Sequence, residues 1–383
     1  MSMPALRWQV RGSRPVAYDV IKAPGLFDRD NPALLAFGRH TGARRFVVVD
    51  ANVAHHHGVV IRGWFAHHGI EACMVAFPGG EANKTLALYQ DLQRQLDAFP
   101  IHRRDDPIIA IGGGVLTDVT AFVAATYRRG VPHLKVPTTL MGYVDAALGI
   151  KNGINFNGYK NRLGSFEPPL AVLLDRSFLH TLPHRHLLNG VCEIVKLAII
   201  RDAVLFERLE ADGADSIATR FASPAGDAIL DRAIGGMLGE LAPNLFEDEL
   251  SRSVDFGHTF SCALETRHDH LLLHGEAVLL DILVSIAIAE RRGLLDARDV
   301  ARVFALVHRL GIAPELGVLD TEVMWQSLLD RIEHRNGRQR LPLPAGIGRC
   351  RFIDDLTRRE LDAAVTTLHA GSRQTRHEPA LQR

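Results

Sequence analysis

Cysteine is scarce in this chain and net charge is absent, and each shortage removes a class of function. The four cysteines, Cys73, Cys192, Cys262 and Cys350, stand far apart and form no CxxC pair, so nothing in their spacing suggests a disulfide framework. The opening MSMPALRWQV lacks the long apolar core of a secretory leader. Together these absences predict a reduced, cytoplasmic protein. Forty-four Lys and Arg cancel forty-four Asp and Glu, which leaves no whole-protein field to gather nucleic acid or anionic lipid. No nucleic-acid partner is expected; a small molecule is. Long apolar runs are missing as well: the longest, 277–289, is interrupted by Asp281 and Ser285 and falls short of the roughly 20 residues that cross a bilayer. It predicts a buried helix with one polar stripe and no membrane partner. No internal repeat is present.

What the chain has is length and alternation. Its 383 residues, 47% of them hydrophobic, can bury a large core and predict two domains. Up to about residue 180, the short β-rich runs RRFVVVD, ACMVAFP, DPIIAIGGG, HLKVPTT and LAVLLD alternate with helical stretches such as NKTLALYQDLQRQLDAF. That order predicts an α/β fold, a parallel sheet with helices on both faces. After TLPHRH the β-runs nearly vanish and helical periodicity fills 184–330. A boundary near Pro183 follows, with domains over 1–183 and 184–370. RLPLPAGIGRCRFID is expected to be extended, and 371–383, poor in apolar groups, to remain a disordered tail. The HHH tract at His55–His57 is expected on the surface, since neighbours on a helix point different ways.

Chemistry-bearing residues gather at strand ends. Gly112, Gly113 and Gly114 stand between a strand and a helix, where backbone amides and a helix N-terminus suit a pyrophosphate; a tight turn is the plainer alternative. Asp50 and Asn52, then Glu81 and Lys84, follow two earlier strands, and ligands of open α/β sheets bind beyond those ends. The stretch KVPTTLMGYVDAALGIKNGINFNGYKNRLGSF holds Asp145, Lys151, Lys160, Asn161 and Arg162 between glycines, as loops suited to a phosphate or polyol or as ordinary solvated charge. In NGVCEIVKLAII, Glu193 and Lys196 share a helix face amid apolar residues. A buried carboxylate there needs a partner, either its own lysine or a metal. With His258 and His274, each beside a glycine, Glu193 makes a His2Glu set, the ligand count of an open catalytic zinc site; satisfied core histidines are the other reading.

Taken together, GGGVLTDVTAFVAATYRRG, VPTTLMGYVDAALGIKNGIN, KNRLGSF, NGVCEIVKLAII and FGHTF with LLHGEAV resemble the sugar phosphate cyclases of the dehydroquinate synthase superfamily over about residues 45 to 350. The resemblance implies an N-terminal Rossmann-like domain on a helical C-terminal domain, NAD and a divalent metal (zinc or cobalt) in the cleft, and a homodimer. It places the metal on Glu193, His258 and His274. It places NAD on Asp50, Asn52, Glu81, Lys84, Gly113, Gly114, Asp118, Thr138, Thr139, Lys160 and Thr181. Substrate contacts fall on Asp145, Lys151, Lys160, Asn161, Arg162, Lys196, Asp255 and His334.

Within the superfamily the chain departs from dehydroquinate synthases: Cys262 stands where those have a second histidine in GHTFGH, Asp255 replaces their Asn, and KNRLGSF replaces KNMIGAF. Leu241, Asp255 and His334 bring it closer to the branch that cyclises sedoheptulose 7-phosphate, the 2-epi-5-epi-valiolone synthases, although Cys262 departs from the proline usual there. The implied reaction, in C7-cyclitol natural-product biosynthesis, oxidises an alcohol with NAD, expels phosphate, returns the hydride and closes the ring by an intramolecular aldol step. Cys262 is expected to face the cleft one turn after His258, and Asp255 to disfavour a substrate carboxylate. Competing expectations are a 3-dehydroquinate synthase, another sedoheptulose 7-phosphate cyclase, a metal-dependent polyol dehydrogenase, and a noncatalytic scaffold.

Overall fold

The computed structural model describes residues 7–40, 42–268, 271–334 and 336–377, with the side chains of 334 and 372–377 left aside. The N-terminal half alternates strand and helix: β1 (Asp19–Lys22), β2 (Arg44–Asp50), α1 (Ala51–His67), β3 (Glu71–Phe77), α2 (Leu86–Ala98), β4 (Ile108–Gly112), α3 (Gly114–Thr126), β5 (His133–Pro137), β6 (Lys151–Phe156), β7 (Tyr159–Phe166) and β8 (Ala171–Leu174). Six strands form one parallel sheet in the order β1-β8-β5-β4-β2-β3. Side chains along a strand alternate between faces, so Val47, Val49, Ile109 and Ile111 pack with Ile61, Trp64 and Phe65 of α1. Phe46, Val48, Ile108 and Ala110 pack on the other face with Leu92 and Leu96 of α2 and Leu116, Val119 and Val123 of α3. The expected α/β sandwich is present.

The helical half follows: α4 (His184–Ile200), α5 (Ala203–Ala218), α6 (Pro224–Leu241), α7 (Ser261–Arg267), α8 (His274–Arg291), α9 (Ala297–Arg309), α10 (Thr321–His334), the hairpin β9 (Leu341–Pro344) with β10 (Cys350–Ile353), and α11 (Arg358–His377). β8 joins the halves. Ala171 and Leu173 face the α1 core, whereas Val172 and Leu174 belong to the helical core with Leu140, Val144, Leu148 and Leu187. No helix among the described residues is long and apolar enough to cross a membrane.

Two expectations change. The segment around Lys151–Phe166 is an antiparallel hairpin rather than loops. Its turn is Asn157-Gly158, at φ 50° and 77°, the positive-φ pair that a two-residue hairpin requires; the Asn-Gly dipeptide announced it. The second change is at the C-terminal end, where α11 continues through 371–377, beyond Leu368, the last buried side chain among those described. Once Leu361, Ala364, Val365 and Leu368 anchor the helix, each further turn adds a hydrogen bond per residue fixed. The remainder of the expected tail, 378–383, lies outside the described residues.

Candidate active site

Strand order reverses between β2 and β4, which opens a crevice at their carboxyl ends. Asp50 ends β2 and caps α1, its Oδ1 accepting from the amides of Asn52 (2.8 Å) and Val53 (3.4 Å), while Oδ2 faces the Gly79 turn. Asn52 is exposed on the first turn. Gly113 caps α3 with no side-chain bond, and a Cβ there would come within 3.1 Å of Thr139 Cγ2. The amides of Gly114 and its successors therefore open on the crevice as a helix N-terminus suited to an anion. Thr138 is buried, donating its amide to Gly112, and Thr139 Oγ1 accepts from the Gly142 amide at 3.1 Å. Thr181 Oγ1 lies 2.9 Å from His57 Nε2, so His57 faces inward while His55 and His56 are exposed.

A polar chain lines the wall between crevice and cleft. Lys84 is buried, its Nζ 2.6 Å from Asp118 Oδ2 and 2.5 Å from Asn161 Oδ1. Glu81 Oε1 accepts from Asn155 Nδ2 at 2.8 Å, and Asn155 Oδ1 accepts from the Asn161 amide. These pairings hold the β6–β7 hairpin against the crevice. On its exposed side Lys151 pairs with Glu247 at 2.9 Å and the Arg162 guanidinium stacks over Tyr159.

The metal candidates converge from three segments. Glu193 lies mid-α4, fully buried; His258 stands on the turn before α7, not within a helix; His274 begins α8. Glu193 Oε1 is 3.8 Å from His258 Nε2 and 3.7 Å from His274 Nε2. One ligand atom from each lies within 4.8 Å of the others. Such separations exceed hydrogen bonds but suit three atoms each about 2.0–2.2 Å from a shared ion. Apart from an ion-pair contact with Lys196, the buried Glu193 oxygens have no hydrogen-bond partner, as a carboxylate reserved for a cation would. The imidazole side chains remain 27% and 39% exposed, so the cluster is open on one side, as a catalytic centre must be.

The glycines beside both histidines have packing reasons. Gly257, at φ +74°, lies where a Cβ would come 2.8 Å from Val278 Cγ1, and a Cβ on Gly275 would fall 2.1 Å from the Asn189 carbonyl oxygen. Gly275→Ala must push α8 from α4 and His274 from Glu193. Overpacking of this kind costs about 1–3 kcal/mol. A lowered thermal midpoint together with weakened zinc binding is expected; zinc affinity equal to that of the native chain would show that the close approach does not set the ligand geometry.

Charge around the cluster is balanced by burial. Burial raises Glu193 and Asp145 adds to the rise, while Lys196 opposes it. Asp145, on a π-turn at Gly142–Ala146, has its Oδ2 3.6 Å from Lys196 Nζ; burial would raise it, but Lys196 brings it below the ordinary carboxylate value. Lys196 itself stays charged although buried, because Glu193 and Asp145 flank it. Asp255 is buried and paired with Arg252 (2.5 Å) and Arg331 (3.0 Å). This corrects the expectation of a bare acceptor facing substrate, since two guanidinium groups compensate its charge. Cys262 is exposed to the cleft, with Lys160, Glu265, Arg331 and Glu81 around it; burial by the cleft walls and then Glu265 raise its thiol. His334 ends α10, and its side chain lies outside the description.

Sequence reasoning missed Glu265, Asp281 and Arg331. Glu265 accepts from His274 and meets Lys160; Asp281 caps α7; Arg331 donates to the His258 carbonyl at 2.6 Å. Asp281 alone left a signal, as the polar break in the longest apolar run.

The chain matches the family model of the 3-dehydroquinate synthase N-terminal region over residues 74–189 and that of the C-terminal region over residues 190–333. A 2-epi-5-epi-valiolone synthase of Streptomyces albus is 46% identical over 367 residues, covering 94% of this chain and 90% of the relative. One from an Actinoplanes species is 46% identical over 370 residues, covering 94% and 93%. Among solved structures, ValA, the 2-epi-5-epi-valiolone synthase of Streptomyces hygroscopicus subsp. jinggangensis with NAD+ and Zn2+ bound, matches with a TM-score of 0.91 at 40% identity, covering 95% of this chain and 99% of that one.

Proposed function

The chain belongs to the 3-dehydroquinate synthase family, and on that premise we propose that it is a sugar phosphate cyclase converting sedoheptulose 7-phosphate to 2-epi-5-epi-valiolone with release of phosphate. The observation that carries the reading is identity of 46%, nearly end to end, with synthases of that name. The open His2Glu cluster beside an uncapped helix start supports it. We further propose a cytoplasmic homodimer in which 1–183 hold NAD and 184–370 the metal, as the family resemblance implies.

When bound, NAD supplies a hydride acceptor and the divalent ion held by Glu193, His258 and His274 a Lewis acid. The chain's own residues bind, orient and move protons. Lys196, buried between Glu193 and Asp145, is placed to hold a proton at the edge of the cluster where a sugar hydroxyl would lie. Lys84 is buried and held by two partners, Asp118 and Asn161, so the phosphate falls to the hairpin cations: Arg162, and Lys151 and Lys160 by exchange with their partners Glu247 and Glu265. Cys262, smaller than an imidazole and a weaker hydrogen-bonding group, leaves room in the cleft for a seven-carbon chain bearing hydroxyls.

Because the hydride removed is returned, NAD+ should be required yet not consumed. Phosphate release from sedoheptulose 7-phosphate, followed beside absorbance at the NADH wavelength, tests this. NAD-dependent release with flat absorbance is expected. Preference for the dehydroquinate precursor would overturn the substrate assignment, and NADH growing in step with product would point to a polyol dehydrogenase.

A further inference from the structure

The two candidate histidine ligands are anchored differently. His258 directs Nδ1 at the carbonyl of Phe256, two residues away and 3.2 Å distant. His274 directs Nδ1 at Glu265 Oε2, also 3.2 Å away, on a different helix. The other oxygen of Glu265, Oε1, meets Lys160 Nζ at 2.5 Å, and Lys160 belongs to β7 of the N-terminal half. Both side chains of that pair are largely buried, 17% and 11% exposed. Lys160 adjoins Asn161, whose side chain is held by Lys84 and, through it, by Asp118 on α3. A continuous path therefore runs from the helix beginning at the glycine turn, through the hairpin and Glu265, to the ring of His274.

We infer that Glu265 is a positioning residue for the metal centre, and that through Lys160 it makes the set of His274 depend on where the β6–β7 hairpin lies. The inference rests on the reading of Glu193, His258 and His274 as metal ligands. A carboxylate receiving Nδ1–H fixes the tautomer that leaves the Nε2 lone pair toward Glu193 and raises the basicity of that nitrogen. Lys160 tempers this push. A substrate anion that draws the ammonium away leaves Glu265 with His274 alone, which strengthens the donor at the moment the cleft is filled. A plain structural ion pair would join the two walls equally well but would leave the metal indifferent to either residue.

Zinc affinity measured by competition with a chromogenic chelator, and the visible spectrum of the cobalt-loaded protein, separate these cases. Glu265→Gln should weaken zinc binding roughly 10–100-fold, the usual cost of losing such a partner, with NAD affinity unchanged; Lys160→Met breaks the same buried pair, so a loss of thermal stability shared by both variants is the cost of the pair and the zinc loss beyond it belongs to His274. Lys160→Met, which touches no ligand, should shift the cobalt bands while the protein still binds the ion. Zinc affinity of Glu265→Gln within about twofold of native would overturn the positioning role. Unmoved cobalt bands in Lys160→Met would overturn the coupling to the hairpin. If the native chain bound neither ion, the metal reading itself would fall and this inference with it; native binding with indifferent variants would remove the inference alone.

Discussion

Alanine in place of His274 is expected to strip the centre of its ion and to lower turnover about a thousandfold or more, since a Lewis acid contributes several kcal/mol and each 1.4 kcal/mol is a factor of ten. Among the described residues, Glu193, His258 and His274 are the one group of three whose ligand atoms converge here. Glu193 is fully buried against Lys196, and His258, the other nitrogen donor, lies across the same carboxylate as His274, 3.8 Å from its Oε1. Two donors on one side of an ion rarely hold it against chelation. His274→Ala should fold like the native chain, because the side chain is 39% exposed at the first position of α8. Elemental analysis of the purified variant, set beside its rate of phosphate release, checks this; full metal occupancy with a native rate would exclude His274 as a ligand. Chelation of the native chain should reproduce the loss, and added zinc or cobalt should restore it only there.

Asp281→Ala should be the most damaging change away from the ligands. The carboxylate, buried on α8 seven residues after His274, accepts from the amides of Phe260 (2.5 Å) and Ser261 (3.0 Å), the start of α7. One helix thus carries one ligand and pins the turn that presents the other. Alanine would leave two buried donors unsatisfied, at about 1–3 kcal/mol each, and would loosen His258. Burial pushes Asp281 up to about 6 although those amides pull it down. The sign follows from linkage: a carboxyl whose value is higher folded than unfolded takes up a proton on folding. Its contribution is greatest below the unfolded value and is lost as pH rises to about 6. Asp281→Asn keeps an acceptor for both amides without the charge. It should cost less than alanine and flatten the dependence of stability on pH between about 4 and 6. Denaturant unfolding across that range decides it; an unaltered slope would show that Asp281 does not titrate there.

Local pattern carried much of this fold. RRFVVVD is β2 residue for residue, and the other four parallel runs fall within a few residues of their strands. β1 escaped because DVIK is too short to show a period. The hairpin escaped because its glycines and asparagines suggested loop, although Asn157-Gly158 is a turn signature in its own right. The same division holds at the site. Glu193, His258 and His274 stood out as residue types that a greasy environment makes costly, but satisfied core histidines read equally well until the family resemblance made them a candidate ligand set. Glu265 and Arg331 were not, since a charged residue on an exposed-looking helix gains its meaning from a partner far along the chain or on another element; Asp281 showed only as a polar break in an apolar run. The pairing of Asp255 with Arg252 and Arg331 was invisible for the same reason, and it changed what that residue can do.

β8 holds a further implication. Its alternate side chains enter two different cores, so the interior of the helical half is completed by residues of the sheet half. A chain severed at Pro183 would expose Val172 and Leu174 on one fragment and their helical counterparts on the other. The change from sheet to helix at that point is a boundary of architecture and not of packing, since one core crosses it. The helical half, with all three candidate metal ligands, is consequently not a module that recombination could lend to a different sheet without bringing this strand along.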